Sequence, residues 1–296
     1  MSLVIVGSVG LDTIETPLGK VVDSLGGSAV YASLAASYFS PTYLVGVIGE
    51  DYPESGLALL KAHDVNTDGL ETKPGKTFRW SGKYEKWNQA DTLTTELNVF
   101  ADFAPKIPDS CKNCRCLLLA NIHPKLQMLV LDQIADHKWV ACDTMNYWIS
   151  LCPEDLADVI RRVDILFINE EEIRQFTGFE NIFTAARKIL SMGPRVVVVK
   201  RGEYGSVAVL EDDYFFSPAY PVEQVVDPTG AGDTFAGGFM SYLSSQDELI
   251  KPTIRNAVRY GTVLASLSVT SFSVEGIINL DPLVLHSKVK ELRGWT

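Results

Sequence analysis

Apolar residues in this chain fall into two alternating patterns. Short unbroken runs such as Val4-Ile5-Val6, Val45-Gly46-Val47-Ile48, Ile165-Leu166-Phe167-Ile168 and Val196-Val197-Val198-Val199 read as strands covered on both faces. Between them, apolar residues recur every three or four positions. Examples are the stretch from Leu57 through Leu60 to Val65 and the series Ala231, Phe235, Phe239, Leu243, which read as amphipathic helices. Strand and helix in alternation along 296 residues predict a single α/β domain, 1–296, built as a Rossmann-like three-layer sandwich.

Two segments break the alternation. Short runs of period two, drawn from about residues 11–25 and 77–100, read as strands outside the main sheet. In the second, Phe78, Trp80 and Tyr84 alternate with Thr77, Arg79, Ser81 and Lys83, so one face looks to solvent and the other to the body of the protein. An ordinary hairpin would carry the same pattern.

The chemistry concentrates in Val226-Asp227-Pro228-Thr229-Gly230-Ala231-Gly232-Asp233-Thr234-Phe235. Glycines here let backbone N–H groups approach a ligand, and the helical period that follows places them at a helix N-terminus, where an anion is stabilised. No G-x-x-x-x-G-K-[ST] run occurs, so backbone amides rather than a loop lysine are expected to meet a phosphoryl group. Asp233 sits in the first helical turn, placed to take a proton from an attacking hydroxyl; helix capping alone also favours Asp at such a position.

Asp227 to Phe235 followed by Gly237-Gly238-Phe239 resembles the C-terminal signature of the ribokinase-like, or PfkB, carbohydrate kinases. The N-terminal half agrees, with Val4 to Asp12 a strand running into a carboxylate and Gly26-Gly27-Ser28-Ala29 opening a helix. The resemblance implies a ribokinase-like fold whose outlying strands form a β-sheet lid, and an ATP-dependent kinase acting on a hydroxyl of a sugar or polyol. It implies that Asp233 is the base, that Gly230, Ala231 and Gly232 hold the phosphoryl oxygens, and that Asp12 and Gly27 contact the substrate. Tyr31 departs from the family pattern: it stands where many members carry a hydroxyl-binding Asn, which points to a less common acceptor and to the myo-inositol kinase branch.

Further roles follow only from the resemblance. Asn169 and Glu172 match the motif that organises water-bound Mg2+, although a capped helix start explains the same residues. Lys200, Arg201, Gly202 and Gly205 match the nucleotide-side turn, although a surface hairpin would read alike. Asp227 is expected beside a monovalent cation, K+, the helix around Asn256 to Ser266 beside the adenine, and lid pairing implies a homodimer. A nucleoside kinase, and a non-catalytic sugar-binding regulator on the same fold, are the competing readings; a dehydrogenase is disfavoured because Gly7-Ser8-Val9-Gly10 lacks the G-x-G-x-x-G spacing.

Charge and cysteines narrow the picture. With 26 basic against 37 acidic residues and a net charge of -11, the chain offers no basic footprint for nucleic acid. No apolar run approaches the ~20 residues of a membrane span and no signal-peptide pattern opens the chain, so no membrane partner and a cytoplasmic location are expected. Cys111, Cys114 and Cys116 do not make a four-ligand zinc set with Cys142 and Cys152, and reduced thiols are expected. His63, His123, His137 and His286 fall in no ligand spacing and are expected to be structural.

Overall fold

The computed structural model describes residues 2–87, 89–112, 114–134 and 137–296. In chain order the strands are β1 (Leu3–Val6), β2 (Gly10–Thr16), β3 (Gly19–Gly26), β4 (Thr42–Gly49), β5 (Val65–Lys73), β6 (Phe78–Lys86), β7 (Gln89–Glu96), β8 (Cys116–Leu119), β9 (Trp139–Asp143), β10 (Ile165–Asn169), β11 (Val196–Lys200), β12 (Ser206–Val209) and β13 (Tyr214–Ser217). The helices are α1 (Ser28–Ala36), α2 (Glu54–Ala62), α3 (Pro124–Leu131), α4 (Asn146–Leu151), α5 (Pro153–Ile160), α6 (Glu170–Thr177), α7 (Ile182–Leu190), α8 (Ala231–Ser244), α9 (Lys251–Ser268), α10 (Glu275–Ile278) and α11 (Pro282–Arg293).

Among the described residues nine strands form one sheet in the order β13-β12-β11-β10-β9-β8-β1-β4-β5. Every pair from β11 to β5 is parallel, and β12 and β13 add an antiparallel edge. The unbroken apolar runs follow from helices on both faces. Alternation along each strand sends Leu3, Ile5, Leu118, Phe167 and Val198 into one core with Phe239 and Met240 of α8. It sends Val4, Val6, Leu119, Ile168 and Val199 into the other, against Val130 of α3, Leu156 of α5 and Ile173 of α6. The chain departs from β1 in both directions, to β4 on one side and β8 on the other, which opens a crevice above the carboxyl ends of the strands.

The outlying runs form a separate four-stranded sheet, β3-β2-β6-β7, in which β2 and β6 are parallel. Its register pairs Gly10 with Phe78, Asp12 with Trp80 and Ile14 with Gly82. These positions share one face. Glu15 and Lys83 occupy the other, where their charges pair at 3.9 Å.

Asp51, in the turn after β4, does not cap α2. Pro53 is the N-cap and makes no side-chain bond to the helix. The Asp51 carboxylate instead accepts from the Thr77 amide at 2.7 Å and the Thr77 hydroxyl at 2.8 Å, and pairs with Arg79 at 2.8 Å. It thereby fastens the end of β4 to the base of the small sheet. Among the described residues no helix is long and apolar enough to cross a membrane.

Candidate active site

Four strand ends and one helix start converge on the crevice. β1 runs into Ser8–Asp12, while β9, β10 and β11 end in Asp143, Asn169 and Lys200; α8 begins beside them at Ala231. Gly230 is the N-cap of α8 with φ of 73°, a left-handed backbone that favours glycine. The Thr234 amide donates to Gly230 O at 2.8 Å, closing the first turn. The N–H groups of Gly230 and Gly232 have no acceptor among the described residues, the condition under which a helix start holds an anion.

Lys200, which the resemblance put on the nucleotide side, stands beside this loop. Lys200 arrives from β11, donates to both oxygens of Asp143 at 2.8 Å, and lies so close that a Cβ on Gly232 would be 3.0 Å from its Nζ. A loop-motif search cannot find it, because the cation and the glycines are brought together by the sheet.

Asp233 completes the cluster. Burial, then the charge of Asp143, push its carboxyl up to about 7, against the opposing pull of Lys200. Burial likewise raises Glu172 to about 7, eased by Lys200 and the Asn169 amide. Burial also holds Asp143 above its ordinary value in spite of Lys200. Burial would lower Lys200, but the carboxylates of Asp143 and Glu172 outweigh it and keep the ammonium charged. Three carboxyl groups thus share one ammonium, and none ionises freely.

Asp12 and Gly27 lie across the crevice. The Gly27 amide donates to the Asp12 carboxyl, which burial and then the charge of Asp227 push up to about 8. Gly27 has φ of 94°, and a methyl group there would come 2.5 Å from Ser8 O, so only glycine lets α1 start here. Tyr31 is buried in α1, its ring against Gly230 and its hydroxyl unpaired. Tyr84 of the small sheet accepts from the Thr229 hydroxyl at 3.1 Å, so that sheet touches the loop preceding α8. Asp227 accepts from the Thr229 and Ser273 amides, each at 2.9 Å, and frames the same loop.

Asn169 and Glu172 close on each other. The Asn169 side chain accepts from the Glu172 amide at 2.7 Å and Glu172 Oε2 accepts from the Asn169 amide at 2.9 Å, a complete capping box for α6. Among the described residues no three His, Cys, Asp or Glu side chains are grouped to hold a metal. Gly202 and Gly205, with φ of 54° and 83°, turn the chain between antiparallel β11 and β12, so the stretch is a hairpin turn. Arg201 leaves the cluster to pair with Glu170 at 2.6 Å. All five cysteines are free thiols. His123 caps α3 through Nδ1, which accepts from the Lys125 amide.

Residues 2–278 match the model of the pfkB family carbohydrate kinases. The chain belongs to that family. It is 32% identical to the cytidine kinase of Thermococcus kodakarensis over 247 residues, 81% of this chain and 88% of that protein. The Arabidopsis thaliana ribokinase solved with ribose and ATP has a TM-score of 0.77 at 23% identity, covering 97% of this chain and 98% of the other. A Burkholderia thailandensis nucleoside kinase solved with inosine has a TM-score of 0.80 at 16% identity, covering 99% of each. These likenesses fix the ribokinase fold and make the protein an ATP-dependent phosphotransferase.

Sequence reasoning missed Asp143 in this kinase. The available signal was an acidic residue ending an apolar strand, Trp139–Asp143, the same feature that singled out Asp12.

Proposed function

We propose that the kinase transfers the γ-phosphoryl group of ATP to a sugar-type hydroxyl, with Asp233 as the base. The supporting observation is the placement of one carboxyl of raised pKa in the first turn of α8, between unpaired amides and the Lys200 ammonium. ATP with Mg2+ would supply the phosphoryl group. Gly230 and Gly232 N–H and Lys200 face the position where its negative charge grows, and Asp233 takes the proton from the acceptor hydroxyl; the Ala231 amide, expected to join them, donates to Pro228 O at 3.3 Å instead. A base near neutrality suits this work. Asp12, Gly27 and Tyr31 hold the acceptor.

The donor set fits Mg2+ only through water, because Asn169 and Glu172 are already bonded to each other and Lys200 occupies Asp143. K+ beside Asp227 would share oxygens that already hold the Thr229 and Ser273 amides. Arg201, Gly202 and Gly205 shape the nucleotide side, and the small sheet serves as a lid on the same domain that excludes water when closed.

The acceptor reading favours a nucleoside over a free polyol such as myo-inositol. Trp80, on the Asp12 face of the small sheet, offers a ring for a base to stack upon, and the Thermococcus relative is named a cytidine kinase. The test is ADP release from Mg-ATP with cytidine, other nucleosides, D-ribose and myo-inositol, with Asp233→Asn as the blank. Turnover with a nucleoside, abolished in the variant, is expected. Turnover only with myo-inositol would move the acceptor to the polyol class, and undiminished turnover by Asp233→Asn would remove the base.

A further inference from the structure

Arg259, in the middle of α9, is 6% exposed, and no carboxylate pairs with it among the described residues. Its Nε donates to Thr296 Oγ1 at 2.8 Å and its Nη1 to Asn256 Oδ1 at 3.0 Å, both neutral oxygens, while Nη2 has no acceptor among the described residues. A buried charge is normally paired, so this one calls for an explanation.

A second cation enlarges the imbalance. Arg255 lies one turn earlier on α9, and both guanidiniums stand over one ring: Cζ of Arg259 is 4.9 Å and Cζ of Arg255 5.6 Å from the centroid of Phe215 in β13. Arg255 Nη2 donates to Asp213 Oδ2 at 2.9 Å, but its Nε is buried without a partner among the described residues. Like charges four apart on a helix repel. Acidic side chains of the adjoining elements are engaged elsewhere, Asp212 with Lys251 at 3.0 Å and Glu291 with the Tyr220 hydroxyl at 2.8 Å. Burial, and then the charges of Arg293 and Arg255, lower Arg259 from its ordinary value. The cluster is open to solvent on one side, where the Arg255 side chain is 42% exposed and Thr296 is exposed as well.

We propose that Arg255 and Arg259, above the Phe215 ring, hold a tetrahedral oxyanion, either inorganic phosphate or a phosphate monoester, at a site separate from the crevice. A guanidinium presents a planar fork of donors that matches phosphate oxygens, and the unmet Nε of Arg255 and Nη2 of Arg259 supply donors that nothing else uses. From Arg259 the helix runs about 15 Å to Val269, whose carbonyl accepts from the Val226 and Asp227 amides in the loop before α8. An anion at the cluster therefore braces α9 against β13 and steadies the helix on which that loop hangs.

The experiment compares the thermal midpoints of the wild type, Arg259→Met and Arg255→Gln in sodium chloride, sodium phosphate, sodium sulfate and D-ribose 5-phosphate at matched ionic strength and pH. Phosphate and sulfate are expected to raise the wild-type midpoint by about 2–4 °C over chloride, the shift of a site filled well above its Kd. Arg259→Met keeps an apolar stem on Phe215 and removes an unpaired buried charge. It should melt no lower than wild type in chloride and should lose most of the anion-dependent gain; Arg255→Gln should lose part of it. General salting effects and anions at the start of α8 act on all three proteins alike, so the difference between them isolates the cluster. A gain with D-ribose 5-phosphate alone, lost in Arg259→Met, would keep the site and name a phosphate monoester as its occupant.

Equal gains in the wild type and both variants, no gain with any of these anions, or an Arg259→Met midpoint that falls as far in chloride as in phosphate would overturn the site. Each of those outcomes leaves the kinase reading standing, because neither arginine belongs to the crevice.

Discussion

The ring of Tyr31 and the α-carbon of Gly230 are packed in contact: a methyl group on Gly230 would lie 2.3 Å from Tyr31 Cγ and 2.4 Å from both Cδ atoms. This contact joins the acceptor half of the site, on α1, to the phosphate half, at the start of α8. Gly230→Ala would face the clash and a φ of 73° together. It is expected to cost about 1–3 kcal/mol of stability. The acceptor kcat/KM should fall by more than the stability loss explains. Urea unfolding beside steady-state kinetics checks this, and a variant of normal stability and activity would show that the loop has room to move.

The raised carboxyl of Asp233 sets a pH limit on the reaction. A base must be deprotonated, so with a pKa near 7 the acceptor kcat/KM is expected to be flat above pH 7 and to fall toward tenfold per unit below it. The residual rate of Asp233→Asn should lack that limb. A wild-type profile flat down to pH 5 would place the base elsewhere.

Folding stability should show the same groups with the opposite sense. Asp12, Glu172 and Asp233 are raised from 3.8, 4.5 and 3.8 to about 8, 7 and 7. Between those limits the folded chain binds more protons than the unfolded one, so stability is highest near pH 4 to 5 and declines as pH rises toward 8. Asp12→Asn, which keeps an oxygen for the Gly27 amide, is expected to flatten part of the decline and to melt several degrees higher than wild type at pH 8. Scanning calorimetry across this range is the measurement, and a wild-type midpoint that climbs from pH 5 to 8 would contradict the assignment.

Lys200 and Asp143 form a pair almost wholly out of water, with side-chain exposures of 18% and 4%. Removing the cation alone strands a buried carboxylate, so Lys200→Met is expected to destabilise by roughly 3–5 kcal/mol at pH 8. The loss should shrink as the pH is lowered and Asp143, whose carboxyl burial holds above its ordinary value, takes up a proton. The double variant Lys200→Met/Asp143→Asn should recover most of the stability while remaining inactive. Equal losses in single and double variants would show that the pair is not coupled.

The main sheet, the small sheet and the glycine loop at the start of α8 were all legible in the amino-acid pattern. Val4 to Val6, Ile165 to Ile168 and Val196 to Val199 have to be buried on both faces, the alternation from Phe78 to Tyr84 has to leave one face in water, and Gly230 to Gly232 open a helix whose apolar stripe begins immediately. Asp12 and Asp233 could be named because each is the carboxylate that ends such a local signal.

What the chain could not disclose is which distant side chains meet. Asp143, Lys200 and Glu172 end or follow three different strands, and only the parallel order β9-β10-β11 brings them to one place beside Gly232. Arg201 and Lys200 are neighbours in sequence, yet strand alternation turns one to Glu170 and the other into the site. Periodicity and turn chemistry act over a few residues, and a sequence states them directly. Burial, charge pairing and unmet hydrogen bonds act across the fold, so they are settled only once the strands are in register.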